Sequence, residues 1–198
     1  MAQPIILASS SPIRSELLVN AGIEHEVVPA RIDEATTIHS LLHASEPPRN
    51  IADALAEAKA LKISAKHPDA FVIGSDQVLS HRGAILQKAA SKDELIDQIE
   101  GMTGGTHSLW SAAVIAQGGE PVWRHVGRVD LTMHAMHRDE IRNYVFQNWD
   151  AIQYCVGGYR FEAEGLRLFS RVQGDYFHIL GFPLLEVVNY LRIRGLLT

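Results

Sequence analysis

Cysteine is nearly absent: Cys155 alone occurs in 198 residues, so no disulfide can close within the chain and no cysteine-based zinc site can be assembled. This usage fits a reducing, cytoplasmic compartment, with Cys155 as small core filler. No apolar stretch approaches the roughly 20 residues that a bilayer-spanning helix needs. The opening Met-Ala-Gln-Pro-Ile-Ile lacks the basic-then-apolar order of an export signal. An excess of positive charge is missing as well. Lys and Arg number 18 against 23 Asp and Glu, for a net charge of −5, which repels a phosphodiester backbone. Neither a nucleic-acid nor a membrane partner is expected. Aromatic residues are only 7% of the chain, and Trp110, Trp123 and Trp149 are assigned to packing. Internal repeats, low-complexity tracts and domain linkers are all lacking.

What is present is an ordinary globular composition, 46% apolar and 21% charged, with alternating strand and helix signals. Pro4 to Ala8 reads as a strand, followed by the loop Ser9-Ser10-Ser11. A helix starts there with Ser11 as N-cap and Pro12 as its first residue, and ends at Gly22. His25 to Pro29 reads as a second strand, and Ala35 to Pro48, polar and aperiodic, as a loop or short helix. Ile51 to Ala65 is a helix whose apolar stripe is Ile51, Ala54, Ala58, Leu61 and Ala65. Ala70-Phe-Val-Ile-Gly is a buried strand delivering Ser75 and Asp76 to its carboxyl end, where α/β folds place ligands. Ser91 and Glu94 mark a capping box for a helix through Ile99. Thr106 to Gln117 and Pro121 to His134 form a hairpin about Gly118-Gly119, which makes the sheet mixed. Helices near Arg138 to Asn148 and Leu184 to Arg194 flank a segment at Leu166 to Val172. The fold class is α/β, a mixed central sheet flanked by helices.

Candidate chemistry concentrates at few positions. A serine-rich loop at a helix N-terminus offers unpaired N–H groups and hydroxyls to an anion. Arg14, third in that helix, meets the positive end of the helix dipole, a mismatch of about 0.3–1 kcal/mol that a bound phosphate would reverse. The helix signals leave an anion site and an ordinary helix start equally open. Asp76, directly after an apolar strand, requires solvent, a metal or a partner. Asp33 and Glu34 add hard oxygen ligands. Lys59 sits at the border of its helix stripe, where a solvated flank is the simpler reading, and Lys88 follows Ile85-Leu86. His107, His134 and His137 fall on different elements, without a settled third ligand, and are read as hydrogen-bonded or exposed.

Taken in order, these residues resemble a known family. Leu7-Ala-Ser-Ser-Ser-Pro-Ile-Arg-Ser-Glu-Leu-Leu18 is similar to the opening motif of the Maf nucleoside triphosphate pyrophosphatases. Counterparts continue through Asp33-Glu34, Glu57-Ala-Lys59-Ala, Gly74-Ser-Asp76-Gln-Val, Lys88, Gly104 to His107, Glu164-Gly165, Gly174-Asp-Tyr and Gly181-Phe-Pro. The resemblance covers nearly the whole chain, residues 1–198, as one catalytic domain of two lobes with a nucleotide cleft between them. It implies hydrolysis of a nucleoside triphosphate between the α and β phosphates, with magnesium or manganese as cofactor. It also implies that Asp76 accepts a proton from water, that Glu34 shares the metal with Asp76, and that Arg14, Lys59 and Lys88 face the phosphates. Ser9 and Ser11 would line the anion loop. Homodimerisation is an expectation from related proteins.

Within that family, Gln77 and Glu164 look like the branch acting on 7-methyl-GTP, where the dTTP and UTP branch carries Thr and Gln. A glutamate can accept hydrogen bonds from the Watson–Crick edge of guanine. Two positions depart from the family pattern: Ile13 stands where Arg or Trp is common, and Ala89 follows Lys88 in place of proline. Ile13, at a specificity-bearing position, offers neither a guanidinium nor an indole face to a base. The rival expectations are a dTTP and UTP pyrophosphatase, and a nucleotide-binding regulator of cell division with little catalysis.

Overall fold

Two parallel ladders built on the short strand β1 (Ile5–Leu7) organise the first part of the chain. β1 pairs with β2 (Glu26–Val27) and with β3 (Phe71–His81), Leu7 lying opposite both Val27 and Ile73. In this computed structural model, which describes residues 3–197, the sheet has seven strands in the order β2-β1-β3-β5-β6-β7. The strand β4 (Ala84–Leu86) pairs antiparallel with the far end of β3. β5 (Thr106–Gln117) and β6 (Glu120–Met133) form the hairpin, and β7 (Phe169–Gln173) runs antiparallel to β6. The mixed α/β sheet is thus as expected, with helices α1 (Pro12–Asn20), α2 (Glu34–His43), α3 (Pro48–Ser64), α4 (Lys92–Met102), α5 (Arg138–Ile152), α6 (Tyr176–Ile179) and α7 (Leu184–Ile193). No helix among the described residues is long and apolar enough to cross a membrane.

The chain forms two compact units. Among the described residues, the first comprises 3–77, 111–127 and 181–197, and the second 78–110 and 128–180. In the first, Ile6, Ala8, Ile63, Ala70 and Val72 pack into a core between α3 and the β1–β3 ladder. In the second, Leu95, Ile96 and Ile99 of α4 and Ile141 and Val145 of α5 pack with Leu109, Val129 and Leu131 of the sheet.

Local chemistry explains most element ends. Pro12 opens α1, and Gly22, at φ +73°, takes the left-handed conformation that ends it. Gly118 and Gly119, both at positive φ, make the tight turn between β5 and β6. Ser91 caps α4 by accepting from the Glu94 N–H. The returning carboxylate of Glu94 reaches Ala90 N–H, one residue short of the expected reciprocal bond.

One expectation is made specific and two are corrected. The polar stretch after Ala35 is a ten-residue helix, α2, with no buried residue; it is started by Asp33, whose carboxylate accepts from the Thr36 N–H at 3.0 Å and from its hydroxyl at 2.8 Å. Strand β3 does not stop at Gly74 but continues to His81. Only its ladder with β1 ends at Ile73, so Asp76 stands just past the end of that ladder, within the strand. Helix α3 is rotated from the predicted stripe: it buries Ala52, Leu55, Ala56, Lys59, Ala60 and Ile63, and not Ala54, Ala58 or Ala65.

Candidate active site

The rotation of α3 brings a lysine inward. Gly74 makes that packing feasible, because a Cβ there would overlap the carbonyl oxygen of Ala56 and the backbone nitrogen of Ala60. With the helix backbone seated on β3, Lys59 projects beside the strand two residues further on. Its Nζ donates to Oδ1 of Asp76 at 2.5 Å and lies 2.7 Å from Oε1 of Glu34, in the first turn of α2. Lys59 and Asp76 are only 7% and 8% exposed. Three elements thus converge on one ammonium.

Arg14 is likewise buried. It was expected to present its charge to an anion at the start of α1. Its guanidinium is engaged by protein oxygens: Nε donates to the Gly181 carbonyl at 3.0 Å, and Nη1 donates to the Ser75 carbonyl at 2.7 Å and to Ser9 Oγ at 3.1 Å. The dipole mismatch is compensated by long-range acceptors that no local reading of the helix reveals. Ser9 Oγ also accepts from the Ser11 N–H at 3.2 Å, while the Ser11 side chain makes no cap bond. Ser75 Oγ donates to the same Gly181 carbonyl at 3.1 Å. Gly181 therefore joins the site as a structural receptor; its signal in the sequence is the Gly-Phe-Pro motif.

Charge and burial oppose one another here. Burial pushes the Asp76 carboxyl above its ordinary range; Lys59 and Arg14 pull it back without cancelling the shift, and Glu34 adds to it. Burial likewise lowers the Arg14 guanidinium from its usual value, against the attraction of Asp76 and Glu34. The oxygens of Asp76 and Glu34 are hard donors that already share one cation, Lys59 Nζ, so the pair fits a divalent ion such as magnesium or manganese. Asp33, the other acid of that motif, is committed to capping α2.

Gln77, next on β3, donates from Nε2 to Ser111 Oγ at 3.0 Å. Ser111 is fully buried within the apolar run of β5, and its hydroxyl in that setting is the signal a sequence reading passes over. Ile13 is half-buried in the first turn of α1. The remaining expected residues belong to the second unit. Lys88 is exposed after β4, and Glu164 opens a short 3₁₀ turn, paired with Arg160 at 2.9 Å. Its own N–H and Arg160 hold the Glu164 carboxyl below the usual range. Also in that unit, His107 Nε2 meets the Tyr159 hydroxyl at 2.7 Å. His137 caps α5 in a reciprocal box with Glu140. Cys155 is a half-buried free thiol raised by burial.

Comparison with known proteins finds full-length relatives. The family described as Maf-like protein matches residues 4–194. A protein of Roseobacter denitrificans named nucleoside triphosphate pyrophosphatase is 51% identical over 195 residues, 98% of each chain. One of the same name from Ruegeria pomeroyi is 50% identical over 197 residues, covering 100% of this chain and 99% of its own. A protein of Rhizobium etli named 7-methyl-GTP pyrophosphatase is 39% identical over 195 residues, 98% of each.

Proposed function

The chain belongs to the Maf family, and from that premise we propose that it is a hydrolase cleaving the α–β phosphoanhydride of a nucleoside triphosphate to a monophosphate and pyrophosphate. The observation that carries this reading is the buried convergence of Asp76, Lys59 and Glu34 beside the serine loop anchored by Arg14. It supplies a proton acceptor, hard oxygen ligands and fixed positive charge, which are the parts phosphoryl chemistry requires.

Asp76 accepts the proton of the attacking water. Its burial, which raises the carboxyl, makes it a better base than a solvated aspartate. Asp76 and Glu34 would hold magnesium or manganese, which polarises a phosphoryl oxygen when bound. Lys59 faces the phosphates with a mobile ammonium. Arg14 fixes the β1–α1 loop against β3 and the Gly181 turn, so that Ser9 and Ser11 keep one geometry.

In the finer reading the substrate is 7-methyl-GTP or another modified purine nucleotide. Gln77 and Glu164 support it by their likeness to that branch, as does the name of the Rhizobium etli relative. Parallel incubation with 7-methyl-GTP, GTP, dTTP and UTP, each with magnesium and with manganese, is expected to release pyrophosphate fastest from the purines. Faster release from dTTP and UTP overturns the purine assignment. Tight nucleotide binding without any pyrophosphate overturns the enzyme reading altogether.

A further inference from the structure

We propose that Lys59 is the resident counter-ion of the Asp76–Glu34 pair and that a divalent cation binds this chain by displacing it. The inference deepens the functional reading above and rests on it for the place of the cation; its readout is cation binding, independent of turnover.

A buried lysine is balanced by one carboxylate. Here a single ammonium touches two, at 2.5 and 2.7 Å, and the three groups together carry a net negative charge. Arg14 adds its charge to the field at both acids, while its guanidinium is held in place by Ser9, Ser75 and Gly181. A doubly charged ion would neutralise both acids. Such ions take carboxylate oxygens at about 2.0–2.6 Å, so the two oxygens that converge on Nζ would meet an ion at that point with little movement. The groups also differ in freedom. Asp76 is fixed on the central strand β3 and Glu34 in a capped first turn, whereas a lysine ammonium rides on four rotatable carbons and can leave without disturbing α3.

Displacement has a consequence for substrate. Lys59 is only 7% exposed in its present position, and its released ammonium needs a new anionic partner, which a triphosphate provides. Cation and nucleotide therefore favour one another's binding through Lys59, reciprocally.

The test is a titration of the full chain with Mn²⁺ alone, free ion being followed by electron paramagnetic resonance. Lys59→Met is expected to bind Mn²⁺ at least tenfold more tightly than the wild type. Lys59→Arg, which keeps the charge, is expected to show no gain, and the double variant K59M/E34Q is expected to lose it. Lys59→Gln serves the same comparison if K59M does not fold. Unchanged or weaker binding in K59M or K59Q overturns the proposal, as does a gain that persists in the E34Q background. Pyrophosphate release by the wild type with no gain in K59M removes this inference alone. A gain in K59M with no hydrolysis by the wild type removes the functional reading alone.

Discussion

Arg14 Nε donates to the main-chain carbonyl of Gly181 at 3.0 Å, across 167 residues of chain. Nη1 of the same guanidinium donates to the Ser75 carbonyl and to Ser9 Oγ, so one planar group ties the start of α1, the middle of β3 and the segment before α7. Acceptors that far apart in sequence are held by a rigid fork of donors, and a lysine cannot reproduce the fork.

Arg14→Lys is therefore expected to destabilise the protein nearly as much as Arg14→Ala, by about 2–4 kcal/mol, since both leave buried carbonyls short of a charged donor. Urea denaturation of the two variants checks this. A lysine variant within experimental error of the wild type would show that charge alone suffices and that the fork is incidental.

Much of the first unit is legible in its sequence because local signals agree there. Ser11-Pro12 and Gly22 bound α1, and Gly118-Gly119 place the hairpin turn. Helix α3 shows where such reading ends. Its alanines at 52, 54, 56, 58 and 60 lie on every side and give the periodicity no direction, so the stripe is read one face away and Lys59 falls on a flank. The face that goes inward is decided by contact with Gly74, which belongs to another element. Helix α2 stays undecided between loop and short helix for a different reason: it buries nothing and depends on the Asp33 cap. Asp76, Glu34 and Lys59 are identifiable as chemistry-bearing residues by family resemblance, but their meeting on one nitrogen is a product of tertiary packing.

Gly74→Ala tests that packing directly. The added methyl has backbone rather than a flexible side chain in its way, so α3 must lift from β3. Overpacking of this kind costs about 1–3 kcal/mol, and the displacement separates Lys59 from Asp76. The expected outcome is a lower melting temperature together with a fall in kcat. Unchanged kcat in a variant that is plainly destabilised would mean that the Lys59–Asp76 contact does not depend on close helix seating.

Asp76→Asn keeps the shape of the side chain and removes its capacity to take a proton. Lys59 retains Glu34 as a partner, so the fold is expected to survive. Turnover is expected to fall by about 10²–10⁴-fold, the range for loss of a general base, with nucleotide affinity in the absence of divalent cation little changed. Pyrophosphate release and calorimetric nucleotide binding measure the two separately, and parallel loss of both would assign Asp76 to substrate binding rather than to the chemical step.

His107 gives the second unit a pH dependence of predictable sign. It is 1% exposed, and burial, reinforced by nearby His81 and opposed by Asp130, lowers its pKa from 6.5 to about 4. Its Nε2 meets Tyr159, while Nδ1 is buried without a hydrogen-bond partner, so no hydrogen bond at Nδ1 rewards protonation. Between pH 4 and 6.5 the unfolded chain binds a proton there that the folded chain refuses. Stability contributed by the neutral ring is complete above pH 6.5 and is lost as the pH falls toward 4, at about 1.4 kcal/mol per unit and about 3 kcal/mol in all. The buried carboxyl of Asp76, being raised, works in the opposite direction: it favours the folded state as the pH falls from its folded pKa toward its unfolded value of 3.8. Comparison of wild type with His107→Gln isolates the histidine. Urea midpoints measured from pH 7 to pH 4.5 should decline less steeply in the variant, and identical slopes would place the acid sensitivity elsewhere.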